Sequence, residues 1–124
     1  FLNRIYGNYY FEMNLNYFYQ LSDPVLGVHR HYFTYMILKG THFFNASLYS
    51  NPNIDKLLAA GMTEPNAEKR AVIYNQVQTV LADDMPVVNL LELEFLTIYN
   101  TKLKGAYGSA MGAYSSFSDA YLED

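Results

Sequence analysis

Residues 9–19 read Tyr-Tyr-Phe-Glu-Met-Asn-Leu-Asn-Tyr-Phe-Tyr. Phe11, Met13, Leu15 and Tyr17 alternate with Glu12, Asn14 and Asn16, the period of two expected of a half-buried strand. Before it, residues 1–6 read as the end of a helix closed by Gly7. After it, Ser22-Asp23-Pro24 is a breaker, because the residue before a proline is pushed out of the helical region. Residues 25–38 are mixed and are read as helix, and residues 40–50, aromatic and polar, as loop. Asn51-Pro52 then combines a capping acceptor with a first-turn proline and predicts a short helix over 53–60, with Gly61 as its left-handed C-cap. The clearest helix is Ala67–Asp83, capped by Asn66, with Ala67, Ala71, Tyr74, Val77 and Leu81 as one buried stripe and Pro86 preventing continuation. Residues 87–99 read as a long strand, with Leu91, Leu93 and Phe95 alternating with Glu92 and Glu94. Lys102–Gly108 is a turn region. Beyond it lies a Gly- and Ser-rich end with Tyr114, Phe117 and Tyr121 as anchors.

The whole chain is 124 residues, the size of one domain or of part of a larger one. Half of it, 51%, is apolar, so composition does not make it disordered. A net charge of −4 argues against a general nucleic-acid binder, which carries a basic stripe. The absence of cysteine excludes disulfides, thiolate zinc sites and a cysteine nucleophile. No stretch is long and apolar enough to cross a membrane, and no signal peptide is visible. The first residues are Phe1-Leu2-Asn3, without an initiator Met, which predicts an excised piece or a processed form. Thirteen Tyr and eight Phe are the unusual feature of the composition. Tyr joins a broad apolar ring to a polar tip and suits both cores and ligand-facing walls.

Little of the sequence offers reaction chemistry. His29 and His31 would share a face on a strand but not on a helix, and no acidic cluster near them or near His42 completes a metal site. Glu92 and Glu94 have the spacing of paired carboxylates, as in glycoside cleavage, but equally that of a solvated strand face. Gly105, Gly108 and Gly112 lack the strand-to-helix setting of a phosphate loop. Asn45-Ala46-Ser47 fits the N-glycosylation sequon. No cofactor is implied. Tyr17, Phe18, Tyr19 and Gln20 sit at the end of the first predicted strand, where α/β folds commonly bind ligands. Three rings and one amide there can form a pocket wall.

The order of the pieces carries further information. A strand leads into Asp23-Pro24, and Tyr49-x-Asn51-Pro52-x-x-Asp55-x-Leu57-Leu58 follows. Then come Glu68-Lys69-Arg70 with Tyr74 and Gln78, and Asp83-Asp84-Met85-Pro86 ahead of a second strand. This order resembles the C-terminal part of the extracellular solute-binding proteins of family 5, the oligopeptide- and dipeptide-binding type, over roughly Gly7 to Gly105. The matched residues read as fold-forming: Asn51 and Pro52 start a helix, Asp55 lies in its first turn, and Arg70 can pair with a carboxylate or cap a carbonyl.

The resemblance implies an α/β fold: a partial lobe of the type II periplasmic-binding-protein kind, with a mixed sheet flanked by helices. It implies a single-domain fragment of a two-lobed protein that closes on its ligand by hinge motion and hands it to an ABC permease in the membrane. It also implies a periplasmic or extracellular, cell-surface-associated location. The function implied is binding of a peptide, with an oligosaccharide as second choice, and no catalysis. In peptide-binding members an aromatic residue covers the ligand and an acidic residue three before the Asp pairs with its α-ammonium. Those positions fall on Tyr17 and Gln20. Neutral Gln20 cannot neutralise a buried ammonium, so a sugar, a blocked peptide or another organic solute fits the wall as well. The alternative is a stand-alone interaction domain that holds a protein partner with exposed aromatics.

Overall fold

The structure is a computed structural model, and it describes residues 1–21, 23–94, 96–106 and 116–124. These fall into two compact units, Phe1–Val88 and Asn89–Asp124.

The first unit is helical. Its centre is a helical hairpin of α2 (Pro52–Thr63) and α3 (Ala67–Asp84), preceded by the single-turn helix α1 (His29–Tyr32). Both long helices begin where the sequence places them. The Asn51 side chain accepts from the Asn53 N–H at 2.9 Å with Pro52 behind it, and Asn66 accepts from the Lys69 N–H at 2.9 Å. Helix α2 ends at Thr63 because Pro65 forces Glu64 into an extended conformation (φ −79°, ψ 113°). Gly61 is therefore inside α2 and is not its cap. A methyl group there would lie 3.0 Å from Cζ of Tyr74, so glycine lets the Tyr74 ring lie directly on the α2 backbone. Helix α3 ends at Met85, which takes the left-handed conformation (φ 43°, ψ 54°) ahead of Pro86.

Phe33, Ile54, Leu58 and Val77 form the buried core between these helices, with Val28, Tyr32, Met36, Tyr49, Leu57, Tyr74, Val80 and Leu81 packed around it. Of the stripe expected on α3, Val77 is buried, Tyr74 and Leu81 are half-buried, and Ala67 and Ala71 are exposed. A second cluster of Ile5, Tyr6 and Ala46 ties the chain start to the 40–50 loop, where the Gly40 N–H donates to the Tyr6 carbonyl at 2.8 Å. Residues 3–7 form one π-helical turn. Residues 25–38 are not one helix. They break into 3₁₀ turns at Pro24–Leu26 and Thr34–Met36 on either side of α1.

The strands expected over 9–19 and 87–99 are not formed by the described residues. A strand needs a neighbour to take its N–H and C=O groups, and alternation supplies only the side-chain half of that requirement. Without one, the intended inward residues face outward. Met13 is 90% exposed, Leu15 78% and Leu91 73%, and Leu93 is exposed as well. The strands recorded are β1 (Leu103–Lys104) and β2 (Tyr121–Leu122) in the second unit. They pair antiparallel, Leu103 opposite Leu122, with Lys104 bridged to Glu123 at 3.1 Å. Phe117 is 49% exposed and Tyr121 58%, and Tyr114, Phe95, Gly108 and Gly112 lie outside the described residues.

Candidate functional site

The segment carrying the candidate wall ends at Asp23, and Asp23 is held from two sides. Its Oδ1 caps the following 3₁₀ turn by accepting from the Val25 N–H at 2.8 Å. The same oxygen accepts from Arg70 Nη2 on α3 at 2.7 Å. The Arg70 bond, and secondarily the Val25 N–H, hold the Asp23 carboxyl below the ordinary carboxylate value.

Arg70 has further contacts. Its Nε donates to the Gly61 carbonyl at 3.0 Å. That carbonyl would take an N–H four residues on, but residue 65 is proline and has none. The guanidinium also lies over the Tyr74 ring, 5.5 Å from its centroid. Tyr74 in turn bonds through its hydroxyl to His29 Nε2 at 2.9 Å. His29 is buried, and desolvation lowers its pKa against the opposing pull of Asp23.

The other motif residues behave in the same way. Asp55 accepts from the Thr34 N–H at 2.9 Å. Asp84 accepts from the Tyr49 hydroxyl at 2.5 Å and from Asn51 Nδ2 at 2.7 Å. Burial, reinforced by Asp84, pushes the Tyr49 phenol up to about 12. Asp23, Tyr49, Asn51, Asp55, Arg70 and Asp84 are thus cross-links between elements.

The four candidate wall residues lie along one extended stretch. Tyr17 is 56% exposed, Gln20 is exposed, and Tyr19 is at the edge of exposure. Phe18 is half-buried and packs on His31, with ring centroids 4.0 Å apart. The Tyr19 carbonyl accepts from Arg30 Nη2. Gln20 lies against Gly27, where a methyl group would come within 2.3 Å of its Oε1. Arg30 and His31 were not legible as neighbours of this wall, because the turn at 23–28 folds α1 back along it.

Other candidates separate. His29 turns to Tyr74 and His31 to Phe18. Among the described residues, no group of three or more His, Asp or Glu is placed to hold a metal ion. Glu92 and Glu94 are exposed. Asn45 of the sequon is buried, with Nδ2 donating to the Tyr49 carbonyl at 2.8 Å and the Phe33 carbonyl at 3.3 Å. A shallow cavity of about 320 Å³ lies between α2 and α3, lined by Asn53, Leu57, Gln76, Thr79 and Val80, away from the wall. Among the described residues, no helix is long and apolar enough to cross a membrane.

No protein-family model matches the chain, and no solved structure matches it. Over 69 residues, 56% of its length, the chain is 30% identical to the periplasmic murein peptide-binding protein MppA of Escherichia coli (strain K12). The chain is similar to a periplasmic peptide-binding protein. The matched stretch spans 13% of that relative's length.

Proposed function

We propose that this chain is part of the substrate-binding component of an ABC importer of the oligopeptide- and dipeptide-binding type. It takes up a peptide or a similar small organic solute in the periplasm or at the cell surface and presents it to a membrane permease. In this reading the chain is a piece of one lobe of a type II periplasmic-binding fold. The segments 9–19 and 87–99 become strands of a mixed sheet when the rest of that lobe supplies their neighbours.

The likeness to a periplasmic peptide-binding protein carries the proposal. The geometry supports it: the residues of the family motif cross-link the fold, and the Asp23–Arg70 bond fixes the end of the segment that bears Tyr17, Phe18, Tyr19 and Gln20. In this reading the chain binds its ligand without reacting with it. The rings desolvate the ligand, and the Gln20 amide and backbone groups orient it.

The test is calorimetry on the full-length protein carrying this chain, with Ala-Ala-Ala and a linear tetrasaccharide as probes. Tyr17→Ala should weaken binding by about 1–3 kcal/mol where its ring lies on the ligand. An unchanged dissociation constant removes Tyr17 from the wall. Failure of both probes to bind, with capture of a protein partner lost on Tyr10→Ala or Tyr35→Ala, would instead favour the interaction-domain reading, since Tyr10 is 72% exposed and Tyr35 74%.

A further inference from the structure

His31 is a buried titratable group, 5% exposed, that touches the candidate wall and that binding alone does not require. The Phe18 ring packs on it at 4.0 Å and 51°. Beside it on α1, Arg30 makes two bonds. Its Nη2 donates to the Tyr19 carbonyl, and its Nε donates to His31 Nε2 at 3.3 Å. An imidazole nitrogen accepts a hydrogen bond only while it carries no proton, so the second bond exists only with the neutral ring. Neutral His31 therefore aims the guanidinium whose other end holds Tyr19.

We propose that Arg30 and His31 are positioning residues of the 17–20 wall, His31 carrying the Phe18 ring and Arg30 the Tyr19 carbonyl, and that a proton on His31 releases both. The consequence for ligand rests on the binding reading above, whereas the positioning itself does not.

The groups that face His31 are Arg30 on its own element, Phe18 from the extended segment, and the Tyr32 ring at 6.2 Å. Arg30 is cationic, and the two rings offer no compensating anion. Burial first, and the Arg30 charge second, push the His31 pKa down to about 4. At neutral pH the latch is closed. As the pH falls through about 4, Nε2 changes from acceptor to donor opposite the Arg30 N–H, and two cations stand side by side. The ligand wall is then loosened by acid while the α2–α3 core, which contains neither group, stays intact.

The experiment is an NMR titration of the 124-residue chain from pH 7 to pH 3. It follows the His31 ring, the Phe18 ring and the Tyr19 and Gln20 amides, with Leu58 and Val77 methyls reporting global unfolding. The Phe18 and Tyr19 signals should shift with the midpoint of His31. His31→Phe keeps an aromatic ring against Phe18 but cannot take a proton, and should flatten those shifts. Arg30→Gln should displace the Tyr19 amide signal already at pH 7, and Arg30→Lys should restore it in part. The proposal is overturned if His31 titrates while Phe18 and Tyr19 stay still, if His31→Phe titrates like the parent, or if Leu58 and Val77 move at the same midpoint. In the full-length protein, Ala-Ala-Ala affinity should fall between pH 7 and pH 3 by at least fivefold more than it does in His31→Phe, since at pH 4 only about half of the molecules have lost the latch. If no form binds Ala-Ala-Ala, the peptide reading fails while the titration still decides the latch.

Discussion

Arg70 and Asp23 are 47 residues apart in sequence, and their side chains meet at 2.7 Å. The bond joins the middle helix pair to the segment that carries the candidate ligand wall. It belongs to a chain of contacts running Asp23, Arg70, Tyr74, His29, and its consequences can be measured.

Replacing Arg70 with Met should lower the thermal midpoint at pH 7. The Asp23 carboxyl has a folded-state pKa below its unfolded value. The stability it contributes is therefore present above the unfolded value and is lost as the pH falls through the folded one. The gap between parent and Arg70→Met should narrow from pH 7 to pH 3 in thermal scans. A gap of equal size at both pH values would assign the effect to the Gly61 carbonyl bond instead.

Gly61→Ala sets two effects against each other. Alanine in a helix interior is favoured over glycine by about 1 kcal/mol. Against that, the new methyl group would stand 3.0 Å from Tyr74 Cζ and 3.2 Å from its hydroxyl oxygen. The Tyr74 ring is pinned by His29 on one side and Arg70 on the other, so it has little room to retreat. Net destabilisation is expected in urea unfolding. A gain in stability would show that Tyr74 moves aside freely.

Leu58 and Leu96 make a matched pair for the core. Leu58 is fully buried between α2 and α3, and Leu96 is 89% exposed. Leu58→Ala should cost about 2–5 kcal/mol, and Leu96→Ala should stay within about 0.5 kcal/mol. A large loss at Leu96 in this chain would mean that the 87–99 segment is packed in solution.

The side chain of Asn45 is committed to the Phe33 and Tyr49 carbonyls, and its Oδ1 accepts from the Ser47 hydroxyl at 3.0 Å. A folded chain should therefore carry no glycan there, although the sequon is intact. Asn45→Ala leaves two acceptors without their donor and should cost about 1–3 kcal/mol in chemical denaturation. Glycan found on Asn45 by mass spectrometry of folded protein would contradict this packing.

Acid should weaken the fold before its carboxylates are protonated. His31 in the folded chain binds its proton near pH 4, against 6.5 ordinarily. Above pH 6.5 neither state is charged and the group has no effect. Between 6.5 and 4 the unfolded chain takes the proton first, so stability falls with pH. Below 4 the loss levels off at on the order of 3 kcal/mol. The His29 pKa is also lowered, and it acts in the same direction. His31→Phe should remove part of the slope in urea unfolding between pH 7 and 4.5; an unaltered slope would assign it elsewhere.

The helices were legible in the sequence because their signals are local. Asn51-Pro52 and Asn66 each fix a helix start within three residues, and both caps are formed. Gly61 misled because a glycine near a helix end resembles a cap, while its actual reason, the Tyr74 ring, comes from another helix. The alternating segments misled for a related reason. Phe11 to Tyr17 and Leu91 to Leu93 state which face a strand would bury, but only a neighbouring strand can realise it. Tyr17 to Gln20 could be chosen from type and position. Their supports, Arg30 and His31, could not, because they arrive through the fold of a turn eleven residues across.

Pro65 and Arg70 illustrate how a missing atom creates a dependency. Because proline brings no N–H, the Gly61 carbonyl is left to the Arg70 side chain. The two positions are therefore epistatic. Pro65→Ala would give the backbone a donor of its own and free Arg70 of one obligation. Losing Arg70 should then hurt the Pro65→Ala background less than the parent, and a double-mutant cycle between the two sites should not close to zero.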